Sequence, residues 1–240
     1  AWLVTACATT APVPESVPAD TRKRTLDRQF VAIALPALAQ CAAEPLAGLV
    51  DTAWIGRLGS VAMGAAGVAV SAHYAAAKVF NDPLLRTSIS LVASSDGTAE
   101  PAERDKAISA ALVLSLAVGL LQAVFFVAFA GLMCRVMGAP ASSPMRAEAL
   151  SYLRIRSLGL PAASCWIVAN GIFRGLGDTS TPLVWALVFS GLNFVLDPLF
   201  MFPLGMGAAG AAAGTALSQT AALFGLLHAL RGKLGGGYRA

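Results

Sequence analysis

The chain has 240 residues, 57% of them hydrophobic and only 12% charged, where an ordinary soluble domain carries about 25% charge. That balance excludes a soluble domain and points to a membrane protein whose first partner is the lipid bilayer. The formal charge of +4 is no argument for a nucleic-acid partner, because Lys and Arg between apolar runs chiefly report topology.

A hydrocarbon core about 30 Å thick takes roughly 20 apolar residues per helix. Six such runs are present, at 30–54, 61–92, 107–136, 150–173, 182–204 and 206–230. Alternating ten-residue patterns of the barrel type are absent. The predicted fold is all-α: a polytopic membrane protein with a six-transmembrane-helix bundle. Residues 1–29 read as a disordered or targeting N-terminal segment, 30–231 as the six-helix transmembrane lobe, and 232–240 as a C-terminal tail or the start of a linker to a further lobe. With both termini on the inner side, the inner segments hold most of the basic residues, from Arg22, Lys23, Arg24 and Arg28 to Arg231 and Lys233, and the outer loops hold Arg57, Arg135 and Arg146.

The first run carries two acids, Glu44 and Asp51, seven residues apart on about one helix face, with Pro36 and Pro45 as potential bends. Asp51 reads either as an interfacial cap near Arg57 or as a functional intramembrane acid; Glu44 reads as a group satisfied by water in a cavity. The second run is too long for one straight crossing and contains Lys78, Asp82, Pro83 and Arg86, which predicts a kink and a far end outside the bilayer. Residues 94–106, "SSDGTAEPAERDK", are predicted to form a solvated loop, and 138–144, "GAPASSP", a turn on the opposite side. The fourth run opens with Arg154 and Arg156, placed at an interface. These two and Lys78 are read as snorkelling; the alternative is attraction of an organic anion such as citrate. "RGLGDTSTP", 174–182, ends one helix with Gly and begins the next with Thr181 as cap and Pro182 in the first turn.

Gly171 with Gly175, and Gly210 with Gly214, form GxxxG pairs, and 205–219 is almost entirely small residues. Small residues let backbones approach where lipid gives helices no hydrophobic reason to associate, so the sixth helix is placed inside the bundle. Cys7, Cys41, Cys134 and Cys165 show no metal-ligand spacing and read as packing residues. His73 and His228 stand far apart, with no nucleophile constellation, so the chain is not read as an enzyme and no cofactor is expected.

The fifth run poses a problem: "SGLNFVLDPLFMF" places Asn193, Asp197 and Pro198 in a stretch otherwise fit for lipid. An ionised side chain at a helix centre costs about 2.5–3.5 kcal/mol on insertion scales. Positions four apart share a face, and Pro198 leaves the Phe194 carbonyl without its helical donor. Amide, carboxylate and carbonyl together make an oxygen-rich niche for a proton, a water or a small hard cation; the alternative is a carboxylate that only buttresses the kink.

"EPLAGLVDTAWIGRLGS", "RGLGDTSTPL" and "LNFVLDPLFMFPLGMGAAGAAAGTALSQ" resemble the helix signatures of the multidrug and toxic compound extrusion (MATE) transporters, nearest to the plant and algal branch with citrate exporters. The likeness runs from about Phe30 to Arg231. It implies one half of a twelve-helix transporter, the N-terminal lobe, with the C-terminal lobe or a second copy as partner. It further implies a plasma-membrane or plastid-envelope location and exchange of protons, or sodium, for a small organic solute such as citrate or a drug-like cation. By motif, the family's cation site maps to Asp51, Asn193, Asp197 and Thr215; Asn170 is a further cavity candidate, Glu44 fits only the plant-like branch, and Pro36 matches the helix-one hinge. The rival readings are a non-transporting half-lobe that serves assembly, and a homodimeric channel.

Overall fold

A computed structural model describes residues 19–96 and 101–235, and they are entirely helical apart from turns. Seven helices follow in order: α1 (Ala19–Gly56), α2 (Ser60–Asp96), α3 (Pro101–Val136), α4 (Arg146–Leu158), α5 (Leu160–Gly175), α6 (Ser180–Met201) and α7 (Ala208–Gly235). The all-α reading holds, and α4 with α5 accounts for the fourth apolar run. Of the described helices, α3, α6 and α7 are long and apolar enough to cross a membrane alone, and α2 qualifies as a span bent by 44° between Ala75 and Ala77. α4 and α5, at 13 and 16 residues, are too short singly because Gly159 interrupts the crossing. α1 is long but carries charge at its start and an acid at each of two levels.

Several expectations need correction at the helix ends. α1 begins at Ala19 rather than near Phe30, so the basic 21–24 segment is its polar first turns; the reading of 1–18 concerns residues outside the described set. The solvated loop predicted over 94–106 is largely helix, since α2 runs to Asp96 and α3 starts at Pro101. Proline is favoured in a first turn because its missing N–H has no partner there anyway, and Glu103 complements the helix dipole. The bend in α2 is present but lies a turn or more before Pro83. The 138–144 segment is a turn as expected, and Arg146 closes it by donating from Nη1 to the Ala139 carbonyl at 2.9 Å and from Nη2 to that of Gly131 at 3.3 Å.

Helices pack where glycine permits. A Cβ on Gly175 would meet Val92 Cβ at 2.9 Å and the Ile89 carbonyl oxygen at 3.0 Å, and one on Gly171 would meet the Leu85 oxygen at 3.1 Å, so this GxxxG pair seats α5 on α2. The second pair seats α7 on α6: a Cβ on Gly210 would meet the Met201 nitrogen at 2.7 Å, and one on Gly214 the Asp197 nitrogen at 2.9 Å. A Cβ on Gly119 of α3 would meet Pro161 Cα at 2.6 Å. α7 is the inner helix, with half of its apolar window buried against 22% for α3 and for α6. α1, by contrast, leans mainly on α6, through Trp54 against Phe194 and Phe202 at ring-centroid distances of 6.0 and 6.3 Å. Two apolar clusters result, one around Phe126, Leu153 and Leu160 and the other around Trp166, Phe173 and Leu226.

Where α6 begins and α7 ends, Asp178 ties the bundle together. It is buried, and its Oδ1 accepts from the backbone N–H groups of Ser180 and Thr181 at 3.0 Å each, so Asp178 caps α6 in place of the expected Thr181. Its Oδ2 accepts from Thr181 Oγ1 at 2.6 Å and from Lys233 Nζ near the end of α7. Burial alone would push this carboxyl up, but the hydrogen bonds from Lys233 and Thr181 outweigh it and hold it below the ordinary 3.8.

A carboxyl held low stabilises the fold above its unfolded pKa and loses that contribution as pH falls through its folded value. Asp178→Ala is therefore expected to lower stability at pH 7 by about 1–2 kcal/mol, the usual worth of a helix cap, with the deficit shrinking below about pH 3.8 in thermal unfolding of the detergent-solubilised protein. Gly119→Ala and Gly210→Ala force methyl groups against backbone and should each cost about 1–3 kcal/mol. Gly191→Ala, whose added Cβ meets nothing within 4 Å, should be neutral or slightly stabilising.

Candidate functional site

The site begins with the contact between α6 and α7. Because Gly214 has no side chain, the backbone of α7 reaches Asp197, and the next residue, Thr215, is delivered to Asn193. Asn193 Nδ2 donates to Asp197 Oδ1 at 2.8 Å and lies 3.2 Å from Thr215 Oγ1. The Thr215 hydroxyl donates to the Ala211 carbonyl at 2.8 Å, which turns its lone pairs toward the amide. Asp197 is 0% exposed and Asn193 1%. The four-residue spacing noted in the sequence thus becomes a closed chain of side-chain hydrogen bonds over two helices.

Asp51 of α1 completes the group. Its carboxyl comes within hydrogen-bonding reach of Asp197. Asp51 Oδ1 and Asp197 Oδ2 are both buried, and neither has a protein donor. Arg57, the neighbour invoked for the interfacial reading of Asp51, stacks over Trp54 with its guanidinium carbon 5.2 Å from the ring centroid.

Beside the acids lies a hollow of two adjoining chambers, about 300 and 380 Å³ in volume, which share Gly48, Asp51, His73, Tyr74, Arg156 and Thr215 as walls. The first extends toward Ile55, Met63 and Tyr152. The second extends toward Lys78, Asn81, Asn193 and Gln219. Asp197 stands behind Asn193 and Thr215 rather than on the open wall. The hollow lies between the two apolar clusters, touching Ala66 of one and Ile167, which packs against the other.

The remaining sequence candidates fall elsewhere. Asn170 is buried in α5, where its Nδ2 donates to the Trp166 carbonyl at 2.7 Å, and it does not line either chamber. Glu44 lies within α1, with its side chain outside the described set. Pro36 sits inside α1, which continues as helix through both Pro36 and Pro45. Cys134 and Cys165 are buried and free, as packing residues would be, while Cys7 and the Cys41 side chain lie outside the described set.

Arg156 is the main residue that sequence reasoning misplaced. Read from sequence as snorkelling, it lines both chambers and donates from Nη1 to Gln219 Oε1 at 3.3 Å. α4 begins at Arg146, and ten residues at 1.5 Å rise carry Arg156 about 15 Å along the helix from that start. The available signal was Gly159, the break that sets the crossing's depth. His73 is 7% exposed and packs against Phe126 at a ring-centroid distance of 5.6 Å; it also lines both chambers, and its buried Nδ1 has no partner.

Membrane-length helices arranged around an internal hollow that carries an acid pair define a lobe of a membrane transporter. Comparison with known proteins names the family. A family model described as MatE matches residues 36–199, and the chain belongs to that family, one of transporters rather than enzymes. Over 211 residues it is 39% identical to Protein DETOXIFICATION 44, chloroplastic, of Arabidopsis thaliana, covering 84% of this chain and 40% of that protein. It is 36% identical over 213 residues to Protein DETOXIFICATION 45, chloroplastic, from the same plant, covering 81% of this chain and 38% of that one. A solved structure described as the outward-facing conformation of a multidrug resistance MATE family transporter of the MOP superfamily superposes with a TM-score of 0.75 at 28% identity, covering 85% of this chain and 44% of that chain. The chain thus spans less than half the length of these relatives.

Gly214→Ala would drive a methyl group into the Asp197 backbone and carboxyl. It is expected to lower stability by about 1–3 kcal/mol and to displace Asp197 from Asn193. Thermal unfolding of the purified protein reads the first effect; the Asn193 side-chain amide resonances, shifted from wild type by NMR in micelles, read the second.

Proposed function

We propose that the full-length protein is a secondary active antiporter which exchanges protons, with sodium as the alternative coupling ion, for a small organic solute such as citrate or a drug-like organic cation. The observation that carries this reading is the facing pair Asp51 and Asp197, each with a buried oxygen that no protein donor satisfies. Two carboxylates in contact repel strongly in a low-dielectric setting. One shared proton, or one small cation held with the help of Asn193 and Thr215, relieves the repulsion and satisfies the orphan oxygens. Loading that ion draws α1 toward α6, and losing it lets α1 move away about Pro36. Because α1 is also a wall of the hollow, ion and solute act on the same element, which is the requirement for coupling two fluxes.

The adjoining chambers support the solute half of the reading: together they offer the volume range of small-molecule sites, about 300–1,000 Å³. Similarity to chloroplastic and multidrug-resistance relatives supports a plastid envelope or plasma membrane location and efflux as the physiological direction.

Asp197→Asn keeps the side-chain volume and removes the ionisable group. In proteoliposomes carrying the full-length protein, solute flux driven by an opposing proton gradient is expected to fall at least tenfold in this variant. Flux that still follows the gradient as in wild type removes the acid pair from the mechanism.

A further inference from the structure

The second chamber carries a group of hydrogen-bond donors on its lining. Asn81 Oδ1 already accepts from Gln122 Nε2 at 3.2 Å and from Ser164 Oγ at 3.1 Å, so the end of this amide left for the chamber is its NH₂. Gln219 Oε1 accepts from Arg156 Nη1 at 3.3 Å, which likewise leaves an NH₂. The guanidinium has five N–H donors and no acceptor, and this bond uses one of them. The three residues come from α2, α4 and α7 and line one chamber of about 380 Å³. Lys78 adds a cation on the exposed side of the chamber, one turn from Asp82 on the same face of α2. The other charged or titratable groups that face Arg156 are Asp51 from α1, His73 and Tyr74 from α2, Tyr152 from its own helix, and Asp197 of α6.

We propose that Arg156, Asn81 and Gln219 form a binding subsite for a carboxylate group of an organic-acid solute. The inference rests on the solute-carrying reading of the hollow and narrows its substrate class from organic solutes in general to organic anions. A planar carboxylate accepts two parallel bonds from a guanidinium fork, and the flanking amides supply donors for its remaining lone pairs. A cationic solute has no acceptor to offer this wall and would leave buried donors unpaired, a cost that sites of this kind use to reject the wrong ligand. Arg156 is pre-positioned by Gln219, so little is spent on ordering it when the solute arrives. Asp51 lines the same chamber, and Asn193 and Thr215, which join Asp197 to it, are also on its lining, so the subsite and the acid pair share one hollow.

The test is equilibrium binding of radiolabelled citrate to the full-length protein in detergent micelles, with tetraphenylphosphonium as the cationic comparison. No proton gradient is applied, so failure of the exchange mechanism leaves this result interpretable. Saturable citrate binding is expected. Arg156→Gln and Asn81→Asp, on different helices, should each weaken it tenfold or more, and Arg156→Lys should weaken it less than Arg156→Gln. Arg154→Gln, on the exposed face of the same helix, should leave it unchanged. Citrate affinity equal to wild type in both the Arg156→Gln and Asn81→Asp variants overturns the subsite, as does saturable binding of tetraphenylphosphonium without any of citrate.

Discussion

Close approach of α6 to α7 is the constraint on which the remainder of the site depends. In lipid the two helices gain nothing from hiding apolar surface, and their association relies on packing and hydrogen bonds. Gly210 and Gly214 supply the first by bringing backbone within about van der Waals distance of Phe200, Met201 and Asp197. The second follows from the first: only at that separation can Asn193 reach both Asp197 and Thr215. Packing and polar chemistry are therefore one feature, since the glycine that admits the neighbouring helix is adjacent to the threonine that joins the polar chain.

The bundle is organised around this seam from two ends. At one end Asp178 and Lys233 join the start of α6 to the end of α7, so the pair of helices that carries the site is clamped away from it. α2, α3 and α5 are held to one another by Gly171 and Gly175 and by the buried Asn81, Gln122 and Ser164 cluster. The hollow is lined by α1, α2, α4, α5, α6 and α7.

Much of this was legible in the sequence because membrane helices leave few choices to the chain. Every backbone polar group must be satisfied within lipid, so an apolar run of sufficient length is a helix, and an acid within it must have a partner. That logic finds α6, Asn193 and Asp197 from "SGLNFVLDPLFMF" alone, and the small-residue run finds α7 as the inner helix. It fails where depth rather than identity decides. Arg156 looked interfacial because the apolar run was counted from Leu150, whereas the helix starts at Arg146 and breaks at Gly159. The polar 94–106 segment looked like loop because it is soluble, yet solubility at a bilayer surface is equally compatible with helix. The pairing of Asp51 with Asp197 depends on two helices distant in sequence, and it entered only through family resemblance.

The limited attachment of α1 has a thermodynamic corollary. This helix meets the bundle chiefly along α6, and it carries both a wall of the hollow and one member of the acid pair. Any displacement of α1 therefore changes chamber width and carboxyl separation in the same stroke. In the exchange proposed above, reciprocity would fix the relation between them: whatever draws the carboxyls together would narrow the room for the solute, and a solute that wedges the helix outward would loosen the hold on the ion by an equal free energy.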